Sequence, residues 1–158
     1  MKFKGLHIRK ARARVTPDHD YLKYWRVVRF WVKATYGIGT PELDMLLFLY
    51  SEQVFNKSKF EEFNELMSWD EKRFRMLLRD DWIHVWRKRK GNETTLYELT
   101  YKSKRMINSV YKKLNGEEIP ESTNPLFKHD ASYMEKVFRN FIKGLNQIIK
   151  QQRHLSQK

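Results

Sequence analysis

The stretch SWDEKRFRMLLRDDWIHVWRKRKGNETTLYELT, residues 68–100, starts with a helical period and ends with a strand period. Placed at about 100° per residue, Phe74, Leu77 and Leu78 fall on one side of a helix, with Lys72, Arg75 and Arg79 roughly opposite. Met76 lies among these cations, and Arg73 adds another charge to the same helix. After Ile83 the pattern alternates: Ile83 and Val85 against His84 and Trp86, then Thr95, Tyr97 and Leu99 on the return. A turn centred on Lys90, Gly91 and Asn92 makes this a hairpin, approached by Arg87, Lys88, Arg89 and Lys90. A helix with a buried stripe and an opposed basic stripe suits the major groove of duplex DNA, and a basic hairpin beside it suits the backbone or minor groove. The plainer reading is a solvated basic surface that protects a sheet edge.

Working upstream, Ser58–Glu61 and Ser68–Glu71 both match the capping box, in which Ser and Glu satisfy each other's terminal amides. Two short capped helices with a tight turn over about residues 64–68 predict a helix-turn-helix. Before them, Thr40 as cap, Pro41 in the first turn and Glu42 against the dipole open a Leu-rich helix with Leu43, Leu46, Leu47, Leu49 and Tyr50. Further back, Asp18 or Asp20 caps a helix carrying Tyr24, Val27, Val28, Trp31 and Val32, which stops at Gly37. Residues 1–17 form a basic arm with Lys2, Lys4, Arg9, Lys10, Arg12 and Arg14 and no acid before Asp18.

Downstream, Thr100 caps a helix with Met106, Ile107, Val110, Tyr111 and Leu114, ending at Asn115 and Gly116. Asp130 is the expected cap of a last helix that repeats Met134, Val137, Phe138, Phe141, Ile142, Leu145, Ile148 and Ile149 at spacings of three and four. The fold class expected is mainly α with a small β component (α+β).

The 158 residues carry a net charge of +13, which favours an anionic partner. Absence of Cys removes disulfides and thiolate chemistry and agrees with a reducing compartment. The first residues lack the apolar run of a secretory signal, and no run reaches membrane-spanning length; a cytoplasmic, nucleoid-associated protein is expected, with no membrane partner. His7, His19, His84, His129 and His154 are far apart, and no phosphate-cradling Gly loop or nucleophile motif occurs. The Asp18-His19-Asp20 triplet is explained by a helix cap and Asp80-Asp81 by solvated helix-end acids. Neither an enzyme, a metal site nor a cofactor is expected.

The sequence resembles the MarR family of winged helix-turn-helix transcription regulators. GTPELDMLLFLYSE is similar to that family's second helix, SKFEEFNELMSWDEKRFRMLLRDDWIHVW to its paired DNA-binding helices and first wing strand, and LYELTYKSKRMI to the second wing strand and following helix. The resemblance implies a winged helix-turn-helix over residues 40–100 with a two-stranded wing, within one unit spanning residues 18–155. It implies dimerisation through residues 18–36 and 101–155, sequence-specific double-stranded DNA as partner, and regulation of transcription as a homodimer. It also implies a small-molecule effector, for which Tyr21, Tyr24, Trp25, Trp31 and Tyr36 are lining candidates, although such a stripe equally forms core. The apolar last helix, and Trp25, Phe30 and Trp31 on the first, agree with a partner helix.

Three positions depart from the family pattern. Asp81 and Ser103 stand where the family has Gly, and Glu93 stands where its wing Arg enters the minor groove. The usual wing contact therefore does not carry over, leaving residues 87–90 to grip phosphates. Loss of that Arg favours a second reading, a winged-helix interaction or assembly module using Glu42, Asp44, Glu61, Glu62 and Glu65. A third is non-specific coating of nucleic acid through the arm.

Overall fold

The computed structural model describes residues 21–67 and 71–157. The basic arm with Arg9, Lys10, Arg12 and Arg14, the expected caps Asp18 and Asp20, and the second capping box at Ser68 lie outside the described residues. Tyr24, Val28, Trp31 and Val32 recur at three and four residues, and all four are buried on helix α1 (Tyr21–Tyr36). Gly37 stops the helix at φ +67°, its N–H bonded to the Lys33 carbonyl at 3.0 Å. That left-handed turn carries a steric cost for a residue with a Cβ, which Gly avoids.

Helix α2 (Thr40–Glu52) is capped by Gly39 rather than Thr40, and Pro41 lies in its first turn. Leu43, Met45, Leu46 and Leu49 are buried. Gln53, at φ +61°, then turns the chain into strand β1 (Val54–Asn56), which the sequence reading missed. Three residues are too few to display an alternation.

In helix α3 (Lys57–Met67) the Asn56 side chain accepts the Lys59 N–H at 3.0 Å, so Asn56 takes the capping position expected for Ser58. The helix also continues through residues 64–67, where a turn was expected. Helix α4 (Glu71–Arg79) ends in paired bonds from the Trp82 N–H to the Leu77 carbonyl and from the Asp81 N–H to the Leu78 carbonyl. This is a Schellman closure, and Asp81 holds its left-handed position at φ +60°. Asp tolerates that conformation better than most residues other than Gly.

Strands β2 (Ile83–Arg87) and β3 (Leu96–Leu99) complete a three-stranded antiparallel sheet in the order β1-β3-β2, where two strands were expected. Val85 pairs with Tyr97 but Arg87 pairs with Leu96, so Trp86 is an extra residue in a bulge. The simple alternation fails there: residues 84–87 are all exposed, and Thr95 lies outside β3. Gly91, at φ +60°, makes the turn closed by the Lys90–Glu93 bridge.

Helix α5 (Tyr101–Leu114) is capped by Thr100, which accepts the Ser103 N–H at 3.3 Å. Thr100 donates to the Asp81 carbonyl at 2.8 Å, and Ser103 donates to the Trp82 carbonyl at 2.5 Å. The two hydroxyls thus tie the start of α5 to the chain that leaves α4. After a 3-10 turn (Pro125–Phe127), helix α6 (Tyr133–Ser156) begins at a Ser132–Glu135 capping box, not at Asp130. Helix α6 buries Phe138, Ile142, Leu145 and Ile149, stacks Phe138 on Phe30 of α1, and leaves Met134, Phe141 and Ile148 exposed. The chain is mainly helical with one small antiparallel sheet, an α+β arrangement. No described helix is long and apolar enough to cross a membrane.

Candidate nucleic-acid interface

Helix α4 is seated by aromatic packing. Phe74 meets Phe60 of α3 edge-on at 4.7 Å and Tyr97 of β3 at 5.1 Å. A Lys57–Glu71 ion pair at 2.8 Å joins the starts of α3 and α4. With Phe74 and Leu77 buried and Leu78 half-buried, the opposite face presents Lys72, Arg75 and Arg79 to solvent. Arg73 and Met76 are half-buried at its edges. Among the described residues Lys72 and Arg75 enter no hydrogen bond or close ion pair, although Arg75, after Lys57, helps to hold the Glu71 carboxyl below its ordinary range. Arg79 differs: its guanidinium bonds the adjacent Asp80 carboxylate at 2.8 Å, which cancels much of its charge.

The hairpin cations divide in the same way. Arg87 pairs with Glu93 at 3.2 Å, so an acid across the hairpin neutralises it. Arg89 donates its side-chain Nε–H to the Gly91 carbonyl at 3.3 Å and its main-chain N–H to Thr95 at 3.2 Å, bracing the turn. Lys88 and Lys90 stay exposed without a side-chain partner among the described residues. Trp86, 53% exposed, adds a flat apolar surface with the Arg87 guanidinium 6.0 Å from its ring. Helix α4 packs against β2, so both sets of cations belong to adjoining elements.

Sequence reasoning missed Lys102. Its ammonium reaches the Asp80 carbonyl at 3.0 Å and lies 3.8 Å from the Trp82 ring. It also missed the Glu98 cluster, where the carboxylate meets His84 at 2.7 Å and Lys104 at 3.4 Å. No local motif encodes either arrangement, because cross-strand pairing and the return of α5 create them. The His84 hydrogen bond, and after it Lys104, hold the Glu98 carboxyl below the ordinary glutamate range. Such a depressed carboxylate contributes stability at pH above its unfolded value, and that contribution is lost as pH falls through the folded value. Glu98→Gln should therefore be less stable than wild type at neutral pH, with the gap closing on acidification below about pH 4. Thermal melts at pH 7 and pH 3 measure this, and a pH-independent gap would remove Glu98 from the acid response.

The aromatics expected around an effector have different placements. Tyr24 and Trp31 are core, Trp25 and Tyr36 half-buried, and Tyr21 exposed. Between α1 and α6 runs an apolar groove of about 680 Å³, lined by Tyr24, Val27, Phe138, Phe141, Leu145 and Ile148. Of the acids considered for a basic protein partner, Asp44, Glu61, Glu62 and Glu65 are exposed and Glu42 is half-buried. Glu62 is paired with Lys59 at 3.1 Å. Among the described residues, no three His, Asp or Glu side chains converge to hold a metal ion. No family model, curated protein or solved structure matches the chain.

Proposed function

We propose that this protein is a winged helix-turn-helix regulator of transcription that binds specific double-stranded DNA as a homodimer, in the manner of the MarR family. The observation that carries the reading is the exposed pair Lys72 and Arg75 on α4, directly opposed to Phe74 and Leu77 in the core. A short helix seated by its apolar side, with Lys72 and Arg75 exposed on the other, can enter a major groove and donate to base edges. The order α2, β1, α3, α4, β2, β3, with β1 paired to β3, supports the winged-helix assignment. Lys88 and Lys90 on the hairpin grip phosphates, and the wing has no minor-groove arginine. The net charge of +13 supplies long-range attraction to the nucleoid DNA of the cytoplasm.

The dimer uses the groove between α1 and α6. Met134, Phe141 and Ile148 are exposed at intervals of seven residues, the spacing of a helix–helix seam. Their occupant is α6 of a second copy, which takes precedence over a small effector in the same groove. Two recognition helices related by a twofold axis require half-sites about 10–10.5 bp apart, or a multiple of it. One observation favours the interaction-module reading: Glu93 occupies Arg87, which weakens the wing as a DNA contact.

Selection of bound fragments from random duplexes, followed by isotherms at several salt concentrations, tests the proposal. Arg75→Ala or Lys72→Ala should cost about 1–3 kcal/mol and relax preference at one base pair per half-site. Lys88→Ala or Lys90→Ala should weaken all duplexes alike and lower the salt slope by about one. Unchanged binding in all four variants would return the basic surface to solvent, and absence of any duplex binding would leave the interaction module.

A further inference from the structure

The basic stripe of α4 continues beyond Arg79. Arg79 bonds the Asp80 carboxylate, and the main-chain carbonyl of that same residue accepts the Lys102 ammonium. The end of α4 and the first turn of α5 therefore meet at Asp80. From that junction Lys102, Arg105 and Lys112 follow one another along α5, within about 80° of arc and turned away from buried Met106, Ile107 and Val110. All three cations are exposed.

A cleft of about 580 Å³ runs beside this stripe, with Tyr36 from the end of α1 and Tyr101 on its rim. The acid at its edge, Glu117, is already engaged by the buried Lys113 ammonium. The Arg105 guanidinium rests 5.7 Å from the Tyr101 ring, which holds it along the helix surface. The cleft is therefore cationic, with phenol and amide groups able to donate hydrogen bonds. Ten residues of helix extend the stripe over about 15 Å. A small anion would occupy one or two of these cations, whereas one strand of duplex DNA presents a phosphate about every 3.4 Å of axis and can meet all three.

We infer that Lys102, Arg105 and Lys112 form a backbone track along α5 that grips phosphates of the same duplex read by α4. This rests on the DNA-binding reading above and extends it to a helix outside the helix-turn-helix and its hairpin. The track adds affinity and salt dependence without adding base preference, because each member is an exposed cation rather than a group held against a base edge.

The test compares two double variants that lower the net charge equally. Arg105→Gln with Lys112→Gln removes two of the track's three cations while leaving the Lys102–Asp80 contact that supports the fold. Lys136→Gln with Lys143→Gln removes two exposed charges from α6. Each is titrated with a selected duplex and a scrambled one between 50 and 200 mM salt, after melting curves show both variants folded. The α5 double should lower the salt slope by about two on both duplexes, so its deficit narrows about tenfold across that range, with the ratio between duplexes unchanged. The α6 double should change the slope by less than half as much. Equal effects of the two doubles, an unaltered α5 variant, or a changed ratio between duplexes would overturn the track while leaving DNA binding intact. Wild-type protein that binds neither duplex would overturn the track and the proposed function together.

Discussion

Ile142→Glu should unfold most of the protein, while Phe141→Glu, one residue away, should melt like wild type and fail to dimerise. Ile142 is 0% exposed and Phe141 is 63% exposed on the same helix. The helical period places Ile142 in a stripe with Phe138, Leu145 and Ile149, against the body of its own chain. A carboxylate there loses water without gaining a partner, and the Ile side chain's own burial is lost as well. The combined effect should exceed about 4 kcal/mol, a large part of the roughly 5–15 kcal/mol typical of a folded domain. Phe141 belongs to the adjoining stripe with Met134 and Ile148, so a charge at that position meets solvent in the monomer and an apolar partner only in the dimer. Melting curves and light scattering on the two variants separate core from interface. A wild-type chain that stays monomeric at high micromolar concentration would end the dimer proposal. An Ile142→Glu protein with normal melting would mean that this stripe is not core. Periodicity alone leaves Ile142 and Leu145 equally fit for a partner face, but both are buried within the protomer.

Phe74→Ala should destabilise the chain by about 3–5 kcal/mol and abolish the proposed DNA binding although Lys72 and Arg75 remain. Phe74 is the side chain through which α4 touches both α3 and the sheet, with edge-on contacts to Phe60 and Tyr97. Such aromatic pairs contribute about 0.5–1.5 kcal/mol each beyond area burial, and truncation also leaves a cavity between three elements. Phe74→Leu fills much of that volume and should recover most of the stability, leaving a deficit near the size of one or two aromatic pairs. Denaturant unfolding of the two variants gives the comparison. A loss below about 1 kcal/mol for Ala would show that α4 is held mainly by its other contacts.

The proposed interface was legible where its chemistry is periodic and local. The opposition of Lys72 and Arg75 to Phe74 and Leu77 follows from helical geometry alone, and both sides have the expected exposure. The charge of each cation as a partner sees it was not legible in the same way. Arg79 and Arg87 looked equivalent to Lys72 and Lys88 in the sequence, yet each lies against an acid in the structure. Arg87 and Glu93 are brought together by the hairpin register and its bulge, and no spacing rule anticipates that pairing.

By itself the sequence determined where most helices stand and which side of α4 is cationic. Gly37, Thr100 and the apolar spacings of α1 and α5 act within one or two helical turns, so their consequences are written in adjacent residues. Only the tertiary structure decided that residues 54–56 pair with β3, that Trp86 bulges from the hairpin, and that Ser103 and Lys102 return to the end of α4. It also decided which apolar stripe of α6 is core and which meets solvent, since both stripes satisfy the same helical period. These outcomes depend on strands and helices that meet across 14 to 42 positions of chain (His84 to Glu98, Asp80 to Lys102, Phe55 to Tyr97), where local periodicity carries no information about partner or register.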